Sequence, residues 1–165
     1  MCTWRQLRLS DLKDVMRVAS DVHPGLPERE CVFAERIQLF PEGCLALVNS
    51  TEICGYAISH PIRHNQPPAL NSILGDIAPD ADSYYIHDLA ILDKFRGGGY
   101  ASACIAKLLV VAECYPATYL VSVYGTGPFW RRFGFASVSR DSTLSEKLRQ
   151  YGDDATYLRR QNRLE

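Results

Sequence analysis

Residues 84–114, YYIHDLAILDKFRGGGYASACIAKLLVVAEC, decide the fold of this chain. An apolar stretch typical of a buried strand precedes three consecutive glycines, and apolar residues then recur at helical spacing. The N-terminus of a helix exposes backbone N–H groups that have no intrahelical partner, and the helix dipole favours negative charge there. Glycines at that point let the backbone approach an anion closely. The stretch therefore predicts a phosphate-binding loop between a strand and a helix.

Spacing distinguishes three kinds of phosphate-binding loop. A dinucleotide fingerprint requires G-x-G-x-x-G, but the third position counted from Gly97 and Gly99 is Ser102. A P-loop requires Gly-Lys-Ser/Thr five residues after its first glycine, and the sequence lacks the lysine. The spacing that fits is Arg/Gln-x-x-Gly-x-Gly/Ala, which Arg96, Gly99 and Ala101 satisfy. An ordinary tight turn without a ligand is the alternative, although three glycines cost backbone entropy that such a turn need not incur.

This loop resembles the pyrophosphate loop of the GNAT superfamily of acyl-CoA N-acyltransferases. A second block, residues 119–135 (YLVSVYGTGPFWRRFGF), supports the resemblance because it runs from an apolar strand through a Gly-Pro turn into a short helix. That helix closes on the aromatic-x-x-x-Gly-Phe pattern of the family at residues 130–135. The resemblance implies an α/β fold of the GNAT type, with a central mixed, mostly antiparallel sheet flanked by helices.

The resemblance also implies a binding site for acetyl-CoA. The pyrophosphate would lie on the glycine loop, and the pantetheine arm would pair with the free backbone of the preceding strand where neighbouring strands splay apart. The cofactor residues implied in this way are Leu89, Ala90, Ile91, Arg96, Gly97, Gly98, Gly99, Tyr100, Ala101 and Ser102.

The strand before the loop carries the candidate catalytic groups. Regular alternation places Tyr85, His87, Leu89 and Ile91 on one face and Asp88 on the other, where a structural hydrogen bond is expected. In the family, the positions matching His87 and Tyr85 take up the proton of the acceptor amine directly or through water. Histidine, with an unperturbed pKa of about 6.5, suits a general base. A half-buried histidine that only satisfies a hydrogen bond is the alternative, and Tyr85 is expected to order water or line the substrate pocket.

The short helix in the second block, residues 119–135, departs from the family pattern. Many members have a tyrosine there to protonate the departing thiolate, but Trp130 occupies the position here. The nearest phenol is Tyr124, which either acts as the acid instead or packs while solvent protonates the thiolate. Trp130 is expected to form a wall of the acyl pocket. His23 and His64 lie in loops that would border the acceptor groove, and we expect both to be solvated rather than part of the site.

Composition is consistent with one enzyme domain over residues 1–165. Hydrophobic residues make up 47% of the chain, enough for a core without disulfides or metals. The net charge of −1 does not indicate a basic surface that would bind nucleic acid or a charged membrane. The six cysteines include no C-x-x-C pair and no recognisable nucleophile, although Cys104 follows the loop. With no leader and no run of about 18 apolar residues, we expect a metal-free cytoplasmic monomer or homodimer.

The remaining elements alternate as an α/β domain requires. The predicted elements are a strand at 3–9, a helix at 11–22 capped by Ser10, a helix at 28–40, a hairpin of strands at 44–49 and 53–60, and a last strand at 155–160. Residues 61–83 are proline-rich without a sustained period, and we predict an elaborated connection with a helical turn near 70–74.

These observations together predict an N-acetyltransferase. It would move an acetyl group from acetyl-CoA to a primary amine by direct attack in a ternary complex, without a covalent intermediate. The alternative is a non-catalytic domain that binds or senses acyl-CoA. The sequence does not choose between a small amine, an amino acid, an aminoglycoside-like compound and a protein amine as the acceptor.

Overall fold

A seven-stranded mixed sheet forms the centre of the computed structural model, which describes residues 1–162. The strands are β1 (Thr3–Gln6), β2 (Cys44–Val48), β3 (Ile53–Ile62), β4 (Ser83–Ile91), β5 (Ala117–Ser122), β6 (Ala136–Ser137) and β7 (Thr156–Gln161). Their order across the sheet is β1-β2-β3-β4-β5-β7-β6. Within residues 1–162, β4 and β5 are the only parallel neighbours. The predicted mixed, mostly antiparallel sheet is confirmed.

Helices cover both faces of this sheet. They are α1 (Leu12–Val22), α2 (Glu30–Leu39), α3 (Tyr100–Ala112), α4 (Gly127–Arg131) and α5 (Ser142–Leu148). Tyr56 and Ile58 of β3 pack in the core beneath α1 and α2, whereas Ala57 between them packs with residues of α3. This period of two is what a strand buried on both faces requires.

Helix α3 follows the glycine loop as the sequence predicts. Its buried residues are Cys104, Ile105, Leu108 and Ala112, which lie one turn apart along one face. They pack against the sheet beside Ile86 of β4. The helix thereby presents its N-terminal end at the point where β4 finishes.

The N-terminal boundaries differ from the prediction. Strand β1 ends at Gln6, and α1 begins at Leu12 after a short 3-10 turn at Leu9–Asp11, so Ser10 does not cap the helix. The reason is Asp11, whose carboxylate accepts hydrogen bonds from the Arg8 N–H at 2.8 Å and from the Arg5 guanidinium at 2.7 Å. These bonds bend the chain into the turn before the helix starts.

The connection between β3 and β4, residues 63–82, is irregular and has no helical turn at 70–74. The chain bends there with Asn71 at a φ of 58°. From Ser72 to Gly75 its backbone groups bond to side chains of α2: Arg36 Nη1 donates to the Ser72 carbonyl at 2.7 Å, and the Leu74 N–H donates to Glu35 Oε1 at 2.6 Å. Side chains from a distant helix therefore decide the course of this segment.

The other predicted elements are present with small shifts. The β2–β3 hairpin is confirmed and β3 extends to Ile62, and the last strand begins one residue later than predicted, at Thr156. Helix α2 begins at Glu30 rather than at residue 28, because Glu28 belongs to the connection from α1. In the described part of the chain no helix is long and apolar enough to cross a membrane.

Candidate active site

A cavity of about 1300 Å³ runs from the glycine loop, along the edge of β4, to the connection between α1 and α2 (residues 23–29, the α1–α2 connection). Its middle lies where β4 and β5 separate. The two strands pair only from Tyr84 to Ile86, opposite Thr118 to Leu120, although β4 continues to Ile91. Beyond Ile86, the edge of β4 that faces β5 is open to the cavity.

The three strand residues expected to pair with pantetheine occupy different surroundings. Leu89 and Ile91 line the cavity, whereas Ala90 is buried in the core beneath α1 and α2. All three are paired with β3 on their other side. The Ile91 carbonyl also accepts a hydrogen bond from Arg96 Nε at 3.1 Å, which fastens the start of the glycine loop to the end of the strand.

The glycine loop has the backbone geometry that an anion site needs. Gly97 and Gly99 have φ angles of 85° and 79°, in the left-handed region that favours glycine. Gly99 is the N-cap of α3, and no side chain caps that helix, so its first N–H groups remain free. The loop residues that line the cavity are Arg96, Gly97, Gly99, Tyr100, Ala101 and Ser102, whereas Gly98 lies outside the lining.

Arg96 is held beside the loop by Asp93. Its Nη1 atom lies 2.7 Å from Asp93 Oδ1, and its side chain is 57% exposed. The guanidinium therefore stands at the mouth of the cavity with part of its surface open to a ligand. An exposed pair of this kind contributes little to stability, which leaves Arg96 free to exchange its partner.

A β-bulge at His87 changes the predicted faces of β4. Ile58 pairs with Asp88 and Ser59 pairs with Ile86, so His87 is an extra residue without a partner on β3. Asp88 bonds to Tyr56 beneath α1 and α2, while Leu89 packs with the residues of α3. The prediction that His87 shares a face with Leu89 and Ile91 is wrong. The bulge instead turns His87 and Asp88 together toward the α1–α2 connection.

His87 is paired with Glu28 of the α1–α2 connection. His87 Nε2 lies 2.8 Å from Glu28 Oε1, and the two side chains are 2% and 6% exposed. His87 Nδ1 has no hydrogen-bond partner among residues 1–162. Burial raises the pKa of Glu28, but His87 and the Asn71 N–H more than offset this effect, so the pKa lies below its ordinary value. Glu28 is therefore an anion that fixes the imidazole ring.

A second histidine, His23, is paired with Asp88 in the same cavity. His23 Nε2 lies 2.9 Å from Asp88 Oδ1, and Asp88 Oδ2 accepts the hydroxyl of Tyr56 at 2.5 Å. Burial lowers the pKa of His23, but the adjacent carboxylate more than compensates and the pKa lies above its ordinary value. Burial raises the pKa of Asp88, and His23 and Tyr56 bring it below its ordinary value. The prediction that His23 is merely solvated is wrong.

Tyr124 completes this group. Its hydroxyl lies 3.3 Å from His23 Nδ1, and the two rings stack with centroids 5.7 Å apart and an interplanar angle of 14°. Tyr124 lines the cavity and is 54% exposed. The structure thus brings Tyr124 together with Asp88 and His23, a combination that includes two residues the sequence prediction left out.

Of the two residues predicted to bind substrate, Trp130 lines the cavity and Tyr85 does not. Trp130 is 9% exposed and packs edge to face with Phe129 and Phe135. Tyr85 is fully buried behind His87, with ring centroids 6.0 Å apart, so it supports the histidine instead of forming the pocket wall. Tyr85 packs in a buried cluster with Tyr119, Tyr157 and residues of α5.

Two more buried groups border the site without lining the cavity. His60 packs against Tyr85 and His87, and burial lowers its pKa to about 3, so it is neutral. Cys104 is fully buried in α3, and burial raises its thiol pKa. A buried thiol of that kind is not a reactive nucleophile. No group of His, Cys, Asp or Glu within residues 1–162 is arranged to hold a metal ion.

Charge is distributed unevenly along the cavity. Arg96 and Arg132 line the half near the glycine loop and α4, together with Asp93, the partner of Arg96. The half near the α1–α2 connection is lined by four carboxylates, those of Asp21, Glu28, Asp88 and Asp154. One end of the cavity therefore suits an anion, and the other end suits a cation.

The fold and this site define an acyl-CoA-dependent acyltransferase of the GNAT type. The model of the acetyltransferase (GNAT) family matches residues 11–135, and the chain belongs to that family. A sequence comparison with curated proteins gives no match.

Solved structures with the same fold include enzymes with different activities. The GNAT-like decarboxylase GphF, in complex with isobutyryl-CoA, is 15% identical with a TM-score of 0.79, and the alignment covers 98% of this chain and 100% of that one. The loading GNATL domain of CurA from Lyngbya majuscula is 12% identical with a TM-score of 0.81, covering 98% of each chain. N-acetylglutamate synthase from Neisseria gonorrhoeae, complexed with coenzyme A and N-acetyl-glutamate, is 18% identical with a TM-score of 0.71, covering 99% of this chain and 36% of that one.

Proposed function

We propose that this protein is an N-acetyltransferase that transfers an acetyl group from acetyl-CoA to a primary amine by direct attack in a ternary complex. The observation that carries the proposal is the continuity of the cavity. One open space joins the free N–H groups of α3, the unpaired edge of β4 and two histidine–carboxylate pairs. This is the order in which phosphate, pantetheine and the reacting thioester would lie.

The cofactor half of the cavity suits CoA. The pyrophosphate would accept hydrogen bonds from backbone N–H groups of residues 97–102, with Arg96 exchanging Asp93 for a phosphate oxygen. The pantetheine amides would bind the open edge of β4 at Leu89 to Ile91 as an added strand would. Trp130 would form a wall of the acyl pocket.

The carboxylates around the other half favour a cationic acceptor, and this supports an amine. An alkyl amine has an unperturbed pKa of about 10.4 and must lose a proton before it can attack the thioester. With its Nε2 atom held by Glu28, His87 would keep a free lone pair on Nδ1 for that proton. Tyr124 would supply a proton to the departing thiolate.

The test is a panel of amines and acyl-CoA thioesters monitored by release of the CoA thiol and by mass spectrometry of the products. We expect acetyl-CoA to be consumed with a cationic amine, giving one acetamide for each thiol. His87→Gln should lose turnover and keep CoA binding, and His64→Gln is the matched control because His64 lies outside the cavity. If every amine on the panel leaves the rate of thiol release at its background value, the proposal is wrong.

A second candidate is decarboxylation of a carboxylated acyl-CoA. The observation that favours it is the fold similarity to the GNAT-like decarboxylase, whose TM-score of 0.79 exceeds that of the N-acetylglutamate synthase. Malonyl-CoA distinguishes the two reactions, because decarboxylation gives acetyl-CoA without any thiol release. The alternative of a non-catalytic domain is not favoured, since paired acid–base groups line the cavity.

A further inference from the structure

Asp88, His23 and Tyr124 form a hydrogen-bonded chain that ends in the cavity, with contacts of 2.9 Å and 3.3 Å. We propose that this chain delivers the proton that the CoA sulfur takes up as it leaves: Tyr124 donates it and His23 recharges Tyr124. The inference rests on the proposed acyl transfer and adds His23 and Asp88 to the reacting machinery.

The position of Tyr124 supports a role at the reacting centre. It adopts a φ of 57°, and the following Gly125 adopts 70°. A left-handed conformation is uncommon for an aromatic residue and costs free energy that the surroundings must supply. This turn stacks the Tyr124 ring on His23 and leaves half of the side chain open to the cavity.

The charges around His23 favour its protonated form. Asp88 from β4 contacts it directly, and Glu28 of the α1–α2 connection adds a second nearby negative charge. Arg96 opposes them, and Asp21 lines the same part of the cavity. The pKa of His23 is raised as a result. A protonated His23 donates from Nε2 to Asp88 and from Nδ1 to the Tyr124 oxygen.

The proton transfer balances without a further reactant. When the tetrahedral intermediate collapses, the carbon–sulfur bond breaks and its electron pair goes to sulfur, which takes the hydroxyl proton of Tyr124. The phenolate oxygen takes the Nδ1 proton of His23, and the neutral imidazole then recovers a proton from solvent. The amine proton follows the separate route through His87 and Glu28, so the two histidines have opposite tasks.

The experiment compares Tyr124→Phe, His23→Gln and the double variant in thiol release with the accepted amine. Each single variant should lower turnover by about 10²-fold, because a positioned acid typically contributes 10² to 10⁴. The double variant should be no slower than the slower single variant, because the two residues act as one unit. His64→Gln is the matched control, since it removes an analogous contact to Tyr119 at 3.1 Å outside the cavity and should leave turnover unchanged.

A second readout needs no acceptor and separates this inference from the proposed function. In NMR titrations of the free protein, Asp88→Asn should lower the pKa of His23. The inference would be overturned if the effects of Tyr124→Phe and His23→Gln on turnover multiplied in the double variant. It would also be overturned if Asp88→Asn left the pKa of His23 unchanged. If the parent acetylates no amine but Asp88→Asn lowers the pKa of His23, the proposed function is wrong, whereas the pairing of His23 with Asp88 is supported.

Discussion

Glu28 and His87 are 59 residues apart in the chain, yet Glu28 Oε1 lies 2.8 Å from His87 Nε2 and both side chains are buried. The contact fastens the α1–α2 connection to the bulge of β4. It also selects the imidazole tautomer, because an anionic partner at Nε2 favours a proton on that atom and a lone pair on Nδ1. In the proposed reaction the proton would therefore go to Nδ1, which is buried and has no hydrogen-bond partner among residues 1–162.

His87→Gln is expected to reduce turnover by about 10²-fold or more while CoA binding stays nearly intact, because general-base catalysis contributes that much. Glu28→Gln should reduce turnover by a smaller factor and shift the acidic limb of the pH-rate profile, since the carboxylate acts through His87. Stopped-flow thiol release and calorimetric CoA titration measure the two effects. An unchanged pH-rate profile in His87→Gln would assign the histidine to structure alone.

Gly99→Val is expected to abolish CoA binding. A Cβ at Gly99 meets no atom within 4 Å, so the cost is the φ of 79° and the side chain placed beside the free N–H groups of α3. Gly75→Val is the matched control, because Gly75 has a φ of 82°, equal space around it and a position outside the cavity. Calorimetric titration with CoA should show loss of binding in the first variant alone. Equal affinity in both variants would contradict the loop assignment.

Trp130→Ala is expected to broaden the range of acyl chains. The indole lines the cavity and packs edge to face on Phe129 and Phe135, so its removal enlarges the pocket on the side of α4. Rates with acetyl-, butyryl- and hexanoyl-CoA should shift toward the longer chains. The pH profile should change little, since indole does not titrate. An equal loss of rate with all three thioesters would show that Trp130 only stabilises the fold.

The free energy of unfolding is expected to be greatest near pH 6.5. Burial lowers the pKa of His60 to about 3, so the stability tied to its neutral form is present above the unfolded value of about 6.5 and is lost as the pH falls. His23, whose pKa is raised, has the opposite sign, so its contribution is present below that value and is lost as the pH rises.

Urea denaturation between pH 4.5 and 8.5, a range of about two units on either side of the unfolded histidine value, measures both limbs. His60→Asn should flatten the acidic limb by up to about 1.4 kcal/mol per pH unit, the slope for one proton. Asp88→Asn should flatten the alkaline limb. If both variants keep the pH dependence of the parent, other groups govern it.

The part of the site that depends on local sequence could be predicted, and the part that depends on tertiary contact could not. The loop from Arg96 to Ser102 follows from glycine spacing between a strand and a helix, all within one short stretch. The pairing of Glu28 with His87 and of His23 with Asp88 joins distant segments. The one local hint was that His23 directly follows the apolar face of α1.

The faces of β4 could not be predicted because alternation assumes a regular strand. The residues from Tyr84 to Ile91 give no sign that one of them lacks a partner on β3. Beside the bulge, Ser59 of β3 is buried and bonded to the Gly43 carbonyl and to Tyr84. A pattern read from β4 alone contains none of these contacts.

The bulge makes the length of β4 a fixed quantity. Deleting one residue between Ile86 and Leu89 would restore a regular ladder in which Leu89, Ala90 and Ile91 keep their partners on β3 and therefore their faces. Only one of the two side chains that now turn toward the α1–α2 connection would remain, so the site would lose a histidine–carboxylate pair. A homologous sequence that is one residue shorter here should therefore keep the sheet and lose one of the two pairs. An alignment gap placed within this strand marks an error of alignment or a different active site.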